Sequence, residues 1–167
     1  MTDSSELKIN NLSFSHVCKI TPQLDSSQNI LEFLPQDRYE NKKNLKLNKY
    51  GKGPFCKFTI DRKYLNKTGV YILTVENEIK YVGECDDLFK RYGMGYGNIS
   101  PRNCFEGGQM TNCRLNSKIL SSIKENNSVN LYFLETKDRF KIEHELITSQ
   151  NSLWNKTSGK PSKIDQL

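Results

Sequence analysis

The sequence predicts an α+β fold: a small antiparallel sheet of three core strands, with room for an added N-terminal strand, flanked by helices. Three observations carry that prediction. Residues 70–75 and 79–82 are β-branched and aromatic runs separated only by the turn-like Glu76-Asn77-Glu78, and so read as a β-hairpin. Residues 129–134 are apolar on both faces, which suits a central strand. Residues 111–124 and 138–150 repeat their apolar side chains at helical spacing.

In chain order, Leu12, Phe14, His16 and Cys18 alternate and predict a strand. Ser26-Ser27 is placed to cap a short helix containing Ile30, Leu31, Phe33 and Leu34, which Pro35 stops. Residues 41–49, rich in lysine and asparagine, read as a loop or a fraying helix. Residues 51–54 form a turn, and residues 55–60 a strand leading into the hairpin. In the hairpin, pairing Val75 with Ile79 across a three-residue loop gives Tyr71 and Tyr81 the same parity and one shared face. A two-residue loop sends them to opposite faces. Gly83 ends the second strand, and Asp86 or Asp87 caps a helix carrying Leu88, Arg91 and Tyr92.

Gly93, Gly95 and Gly97 follow a helix rather than a strand, which argues against a dinucleotide loop. With Asn98, Ser100, Arg102 and Asn103 they suit a loop lying against phosphates, or an ordinary surface loop. Thr111 caps the next helix, and Arg114 and Asn116 fall in its first turn, where the positive end attracts anions.

Composition narrows the class. The apolar fraction of 35% is low for a globular domain, and 25 basic against 19 acidic residues leave a net charge of +6. That excess favours a polyanionic partner. Nine basic residues lie between Arg38 and Lys63 against Glu40 and Asp61, with Tyr39, Tyr50, Phe55 and Phe58 interleaved. The run reads either as a nucleic-acid contact or as a solvated loop. Five cysteines in an odd count without a CxxC pair, and an N-terminus without the apolar core of a signal peptide, lead to the expectation of a cytoplasmic protein with free thiols. Cys85, Cys104 and Cys113 are too irregularly spaced for a zinc site.

The last helix holds an acidic residue in an unexpected place. At about 100° per residue, Phe140, Ile142, Leu146 and Ile147 define an apolar arc that includes Glu143, while Glu145 falls toward solvent. A carboxylate among apolar neighbours needs a partner. Either an arginine or lysine supplies it, or a divalent metal does. His144 reads as a surface histidine and Trp154 as a core residue.

Gly69-Val70-Tyr71, followed after a short gap by Tyr81-Val82-Gly83 and by Arg91 eight residues on, resembles the GIY-YIG nucleases, with valine for isoleucine in each triplet. The later pieces keep the family's order: Glu143-x-x-Leu146-Ile147 and then Trp154-Asn155 match its E-x-x-L-I and W/Y-N signature. The glycine-rich passage around residues 95–116 is similar to that of the bacterial restriction-endonuclease-like branch. The resemblance covers roughly residues 69–155. It implies the GIY-YIG endonuclease fold and a site of Tyr71, Tyr81, Arg91, Glu143 and Asn155. Glu143 would be the ligand of one Mg²⁺ or Mn²⁺ ion, Asn155 a supporting residue, and Tyr71 the base or water-orienting group. Gly83, Lys80, Lys90, Arg102, Asn103, Arg114 and Asn116 are the expected nucleic-acid contacts. One departure stands out: several members carry a histidine shortly after the arginine, where this chain has Gly93, Met94 and Gly95. Gln109, Arg102 and Arg114 are the candidates to replace it.

The expectation is thus a metal-dependent DNA endonuclease of restriction type, a homodimer if its site is palindromic, with a companion methyltransferase. The alternatives are a catalytically weak or inactive nucleic-acid-binding or regulatory protein on the same fold, a structure-specific repair nuclease, and RNA in place of DNA as the substrate. The division expected is a basic N-terminal extension over residues 1–66, a nuclease domain over 67–156 and a flexible tail over 157–167.

Overall fold

The computed structural model describes residues 5–40 and 42–156; the expected tail, residues 157–167, lies outside the described residues. The chain divides into two compact units, each discontinuous in sequence. Residues 1–20, 62–88 and 127–167 belong to the first, residues 21–61 and 89–126 to the second. A single cut at residue 66 does not reproduce this division, because the N-terminal strands pair into the sheet.

The first unit is α+β. Five strands, β1 (Glu6–Ile9), β2 (Leu12–Lys19), β3 (Gly69–Val75), β4 (Glu78–Cys85) and β5 (Val129–Glu135), form an antiparallel sheet in the order β1-β2-β5-β3-β4. Two N-terminal strands, rather than the single one allowed for, extend the three-stranded core on the β5 side. β3 is buried at every position between β5 and β4, as its unbroken apolar sequence dictates. A helix, Arg139–Ser149, packs against β4 and β3. It buries Leu146 and lays Ile142 and Ile147 on the face made by Val70, Ile72, Val82, Tyr132 and Phe14. Arg139 at its start bonds Glu84 at 2.8 Å and also reaches Asp86, fastening the helix to the end of β4.

The hairpin differs in detail from expectation and arrives at the same result. Its loop has two residues, not three: Val75 pairs with Glu78, and Glu76 (φ 49°) and Asn77 (φ 67°) both take left-handed backbone, as a type I′ turn requires. Such a loop by itself places the tyrosines on opposite faces. A bulge restores them: Thr74 pairs with Ile79 and Leu73 with Tyr81, so Lys80 is the extra residue. Beyond it Ile72 faces Val82 and Tyr71 faces Gly83.

The second unit is built on the helix α1 (Met110–Lys124), so the helix of the first unit is α2. α1 starts one residue before the expected cap Thr111, with Gln109 at the N-cap position. A π-helical segment, Lys90–Tyr96, replaces the start of the expected glycine loop. Phe55, Ile99, Cys104, Phe105 and Cys113 form the unit's core. Two expected elements are absent. Residues 26–34 do not form a helix; the Asp25 carboxylate accepts the N–H groups of Ser27 and Asn29, closing a turn instead. Residues 55–60 are not a strand, because their backbone groups are taken elsewhere. The Asn116 amide bonds both N–H and C=O of Cys56, Phe58 donates to Gly97 O, and Lys57 O accepts from Gln23 N–H.

Candidate active site

Tyr71 and Tyr81 stand on one face of the sheet, ring centroids 6.1 Å apart and planes at 29°. They are diagonal rather than directly opposite, since Tyr71 faces Gly83 and Leu73 faces Tyr81. The phenol end of Tyr71 lies over Gly83: a Cβ there would come within 2.3 Å of both Cζ and the hydroxyl oxygen. Gly83 therefore admits the Tyr71 ring, and the space it leaves is filled by that ring rather than kept open for a phosphate. Tyr71 is 1% exposed, while Tyr81 is half-buried.

The outer edge of β4 borders this pair. β4 is the last strand of the sheet, and residues 152–155 close its free edge. Trp154 N–H donates to Lys80 O at 2.9 Å. The Asn155 side chain then acts as one rung of a ladder, accepting from Val82 N–H at 2.9 Å and donating to Val82 O at 2.8 Å. Asn155 is thus adjacent to the tyrosine face and occupied in a structural bond. Trp154 is half-buried.

Glu143 lies on α2, half-buried, with Glu145 exposed as expected. Because α2 buries Leu146 on the Val82 face, it covers the face opposite the two tyrosines. A carboxylate on α2 and the tyrosine hydroxyls can share a ligand only around the β4 edge. Among the described residues no group of three or more His, Cys, Asp or Glu side chains could hold a metal ion. One carboxylate still fits a hard cation of the Mg²⁺ kind, which keeps most of its waters and takes few protein ligands.

Lys80 sits at the bulge, its ammonium 2.7 Å from the exposed Glu78 carboxylate. That partner, by hydrogen bond first and charge second, holds the Glu78 carboxyl below its usual range. A hollow of about 400 Å³ opens beside them, bordered by Asn77, Gln150 and Leu153.

The remaining expected contacts belong to the second unit and divide sharply. Arg91 and Lys90 lie on the π-helical segment, Arg91 with its guanidinium 6.0 Å from the Tyr96 ring. Gly93, Met94 and Gly95 continue that segment without an imidazole. Arg102 is exposed and donates to Glu106 O at 2.9 Å, its guanidinium lying against Gly107. Asn103 is a loop pin, accepting from Gln109 N–H through its side chain. Asn116 is a correction: fully buried, it bonds Cys56 and Tyr96 O and is not available to a phosphate. Arg114, at 6% exposure, is likewise a buried residue rather than a surface contact. A helix's first turn attracts anions only where it is open to them, and here it is packed.

Sequence reasoning missed the Arg139 clamp and the bulge at Lys80. An arginine at a helix start gives no local sign of its partners, and a bulge preserves the alternation on either side of it. Comparison of the chain with protein-family models, with curated proteins and with solved structures gave no match.

Proposed function

We propose that the protein is a divalent-metal-dependent DNA endonuclease of restriction type, and that its α+β architecture is a form of the GIY-YIG fold. What supports the reading best is the stacked Tyr71–Tyr81 pair, with the Tyr71 phenol seated over Gly83. The two triplets of the resemblance are thereby given a physical reason for their tyrosines and their glycine. In this reading the Tyr71 oxygen orients the attacking water or takes its proton, with a cation needed nearby to bring a phenol of ordinary pKa near 10 into range. Tyr81 shares the face and offers a second hydroxyl from a position open to solvent. Glu143 would hold Mg²⁺ or Mn²⁺, which when bound would supply Lewis-acid stabilisation of the leaving 3′ oxygen. Asn155 holds the β4 edge in register beneath the reacting groups.

A second reading, a nucleic-acid-binding protein without catalysis, is favoured by one observation: Tyr71 is 1% exposed, so its hydroxyl meets a water only if the site opens. Plasmid nicking separates the two. With Mg²⁺ the wild type is expected to nick and linearise supercoiled DNA, with EDTA to leave it intact, and Glu143→Ala to lose at least a hundredfold in rate. DNA binding that weakens with salt, with no metal-dependent cutting by the wild type, would establish the binding protein instead.

A further inference from the structure

The excess of positive charge in this chain belongs to one unit. The second unit carries thirteen basic and seven acidic residues, the first twelve of each, so the whole +6 resides on the second. That unit also contains a cleft of about 420 Å³ lined by its own residues. Its floor is backbone: Phe58 N–H donates to Gly97 O at 3.0 Å, and a Cβ on Gly97 would come within 2.1 Å of Phe58 O. One wall is the π-helical segment, a geometry frequent at functional sites.

The rim is polar. Gln23, Thr59 and Asn98 are exposed, and Lys57 is half-buried with its ammonium over the Phe33 ring. Their backbones are fixed, since Gln23 N–H bonds Lys57 O at 2.7 Å and Leu31 N–H bonds Gln23 O at 2.9 Å. The Gln23 amide on this backbone and the Asn98 amide, whose own N–H donates to Gly95 O at 3.4 Å, stand beside the buried Phe58–Gly97 contact in an arrangement for an edge laid across it. A small-molecule pocket instead encloses its ligand, whereas this cleft lies open. Carboxamides pair a donor with an acceptor, which is the pattern that adenine presents in the major groove, and a lysine beside them takes a phosphate or a guanine.

We infer that this cleft is a base-reading site for duplex DNA, in which the Gln23 and Asn98 amides meet base edges and Lys57 meets the flanking backbone. The inference rests on the proposed function for its ligand and requires no cleavage. It places sequence selection on residues 21–23, 57–59 and 97–98 of the second unit.

The test is selection of randomised duplexes by the full chain in EDTA, read by sequencing the bound fraction, beside the plasmid assay in Mg²⁺. The wild type is expected to enrich a motif. The Gln23→Ala/Asn98→Ala double variant is expected to lose about tenfold or more of the enrichment at one or two positions while its total binding holds. Lys57→Ala is expected to weaken binding evenly over sequences and to reduce the slope of log K against log salt by about one. The three side chains are at the surface, and an unchanged melting transition confirms folding. Gln23→Glu, an isosteric change that repels phosphate, is expected to lower affinity with the fold intact. Unaltered enrichment by the double variant, absence of any preference in the wild type, or absence of duplex binding each overturns the inference. Failure of the nuclease reading has a different signature: selection intact, with no cutting in Mg²⁺.

Discussion

Gly83 carries more of the proposed site than any ionisable group near it. A strand interior ordinarily disfavours glycine, since it packs no side chain and costs conformational entropy. Here the missing Cβ is the space that Tyr71 occupies, and no small shift relieves an overlap of 2.3 Å with a buried ring. Gly83→Ala is therefore expected to cost about 1–3 kcal/mol, the usual range for overpacking, and to swing Tyr71 off its seat. Urea denaturation measures the first effect, and the change in tyrosine near-ultraviolet circular dichroism the second. Gly95→Ala is the control. Its nearest neighbour to an added Cβ is at 3.6 Å, an ordinary contact, so no loss of stability is expected there. A Gly83→Ala protein as stable as wild type with an unchanged tyrosine spectrum would remove the packing argument for the pair.

The hairpin β3–β4 shows how an element compensates for its own turn. The I′ turn at Glu76-Asn77 fixes a register that separates the tyrosines, and the bulge at Lys80 reverses it one step later. Deleting Lys80 should leave the turn in place and remove the bulge while keeping Tyr81 opposite Leu73 and Val82 opposite Ile72, because the remaining residues then alternate in the register that the bulge produces. Val82 therefore stays buried, and the deletion is expected to cost the bond from Trp154 N–H to Lys80 O, about 0.5–1.5 kcal/mol, with the tyrosine coupling preserved. Lys80→Ala keeps the bulge and gives up only an ion pair with an exposed partner, worth about 0–1 kcal/mol; it should stay folded with the tyrosine signal intact. Loss of the tyrosine coupling in the deletion variant, with Lys80→Ala unaffected, would show that the strands beyond the bulge do not hold this register. The same hairpin shows what the sequence reveals. The strands of the hairpin and of residues 129–135 and the helices of residues 110–124 and 139–149 are legible because periodicity is a local property, whereas the shared tyrosine face came about through a bulge that periodicity does not show. The turn type was not legible, because Glu76-Asn77-Glu78 lacks the Asn-Gly pair that marks an I′ loop. Nor was the fate of residues 55–60, whose strand-like composition is overruled by one buried amide, Asn116, sixty residues away.

At the scale of the molecule, the two units differ in what they carry. The first is electrically balanced and holds Tyr71, Tyr81, Glu143 and Asn155; the second holds the net charge, the base-reading cleft and Arg91. Each unit also holds a thiol that folding keeps protonated, so alkaline pH tests the stability of both. Burial pushes Cys56, in the second unit, up to about 12 and Cys18, in the first, up to about 11, from an ordinary value of 9.0. The sign follows from proton counts. Above pH 9 the unfolded chain releases these protons while the folded chain retains them, so the unfolded state binds fewer and stability falls as pH rises. The loss begins near pH 9, and its slope approaches about 1.4 kcal/mol per pH unit for a fully buried thiol. It levels off near pH 11 for Cys18 and near 12 for Cys56. Cys56 is fully buried and should contribute most of it, while the half-exposed Cys18 contributes less. Urea denaturation at pH 8 and at pH 10.5 should show the decline, and Cys56→Ala should flatten it while lowering stability at both values. A wild type and a Cys56→Ala variant with the same alkaline slope would mean that this thiol ionises alike in the folded and unfolded chains.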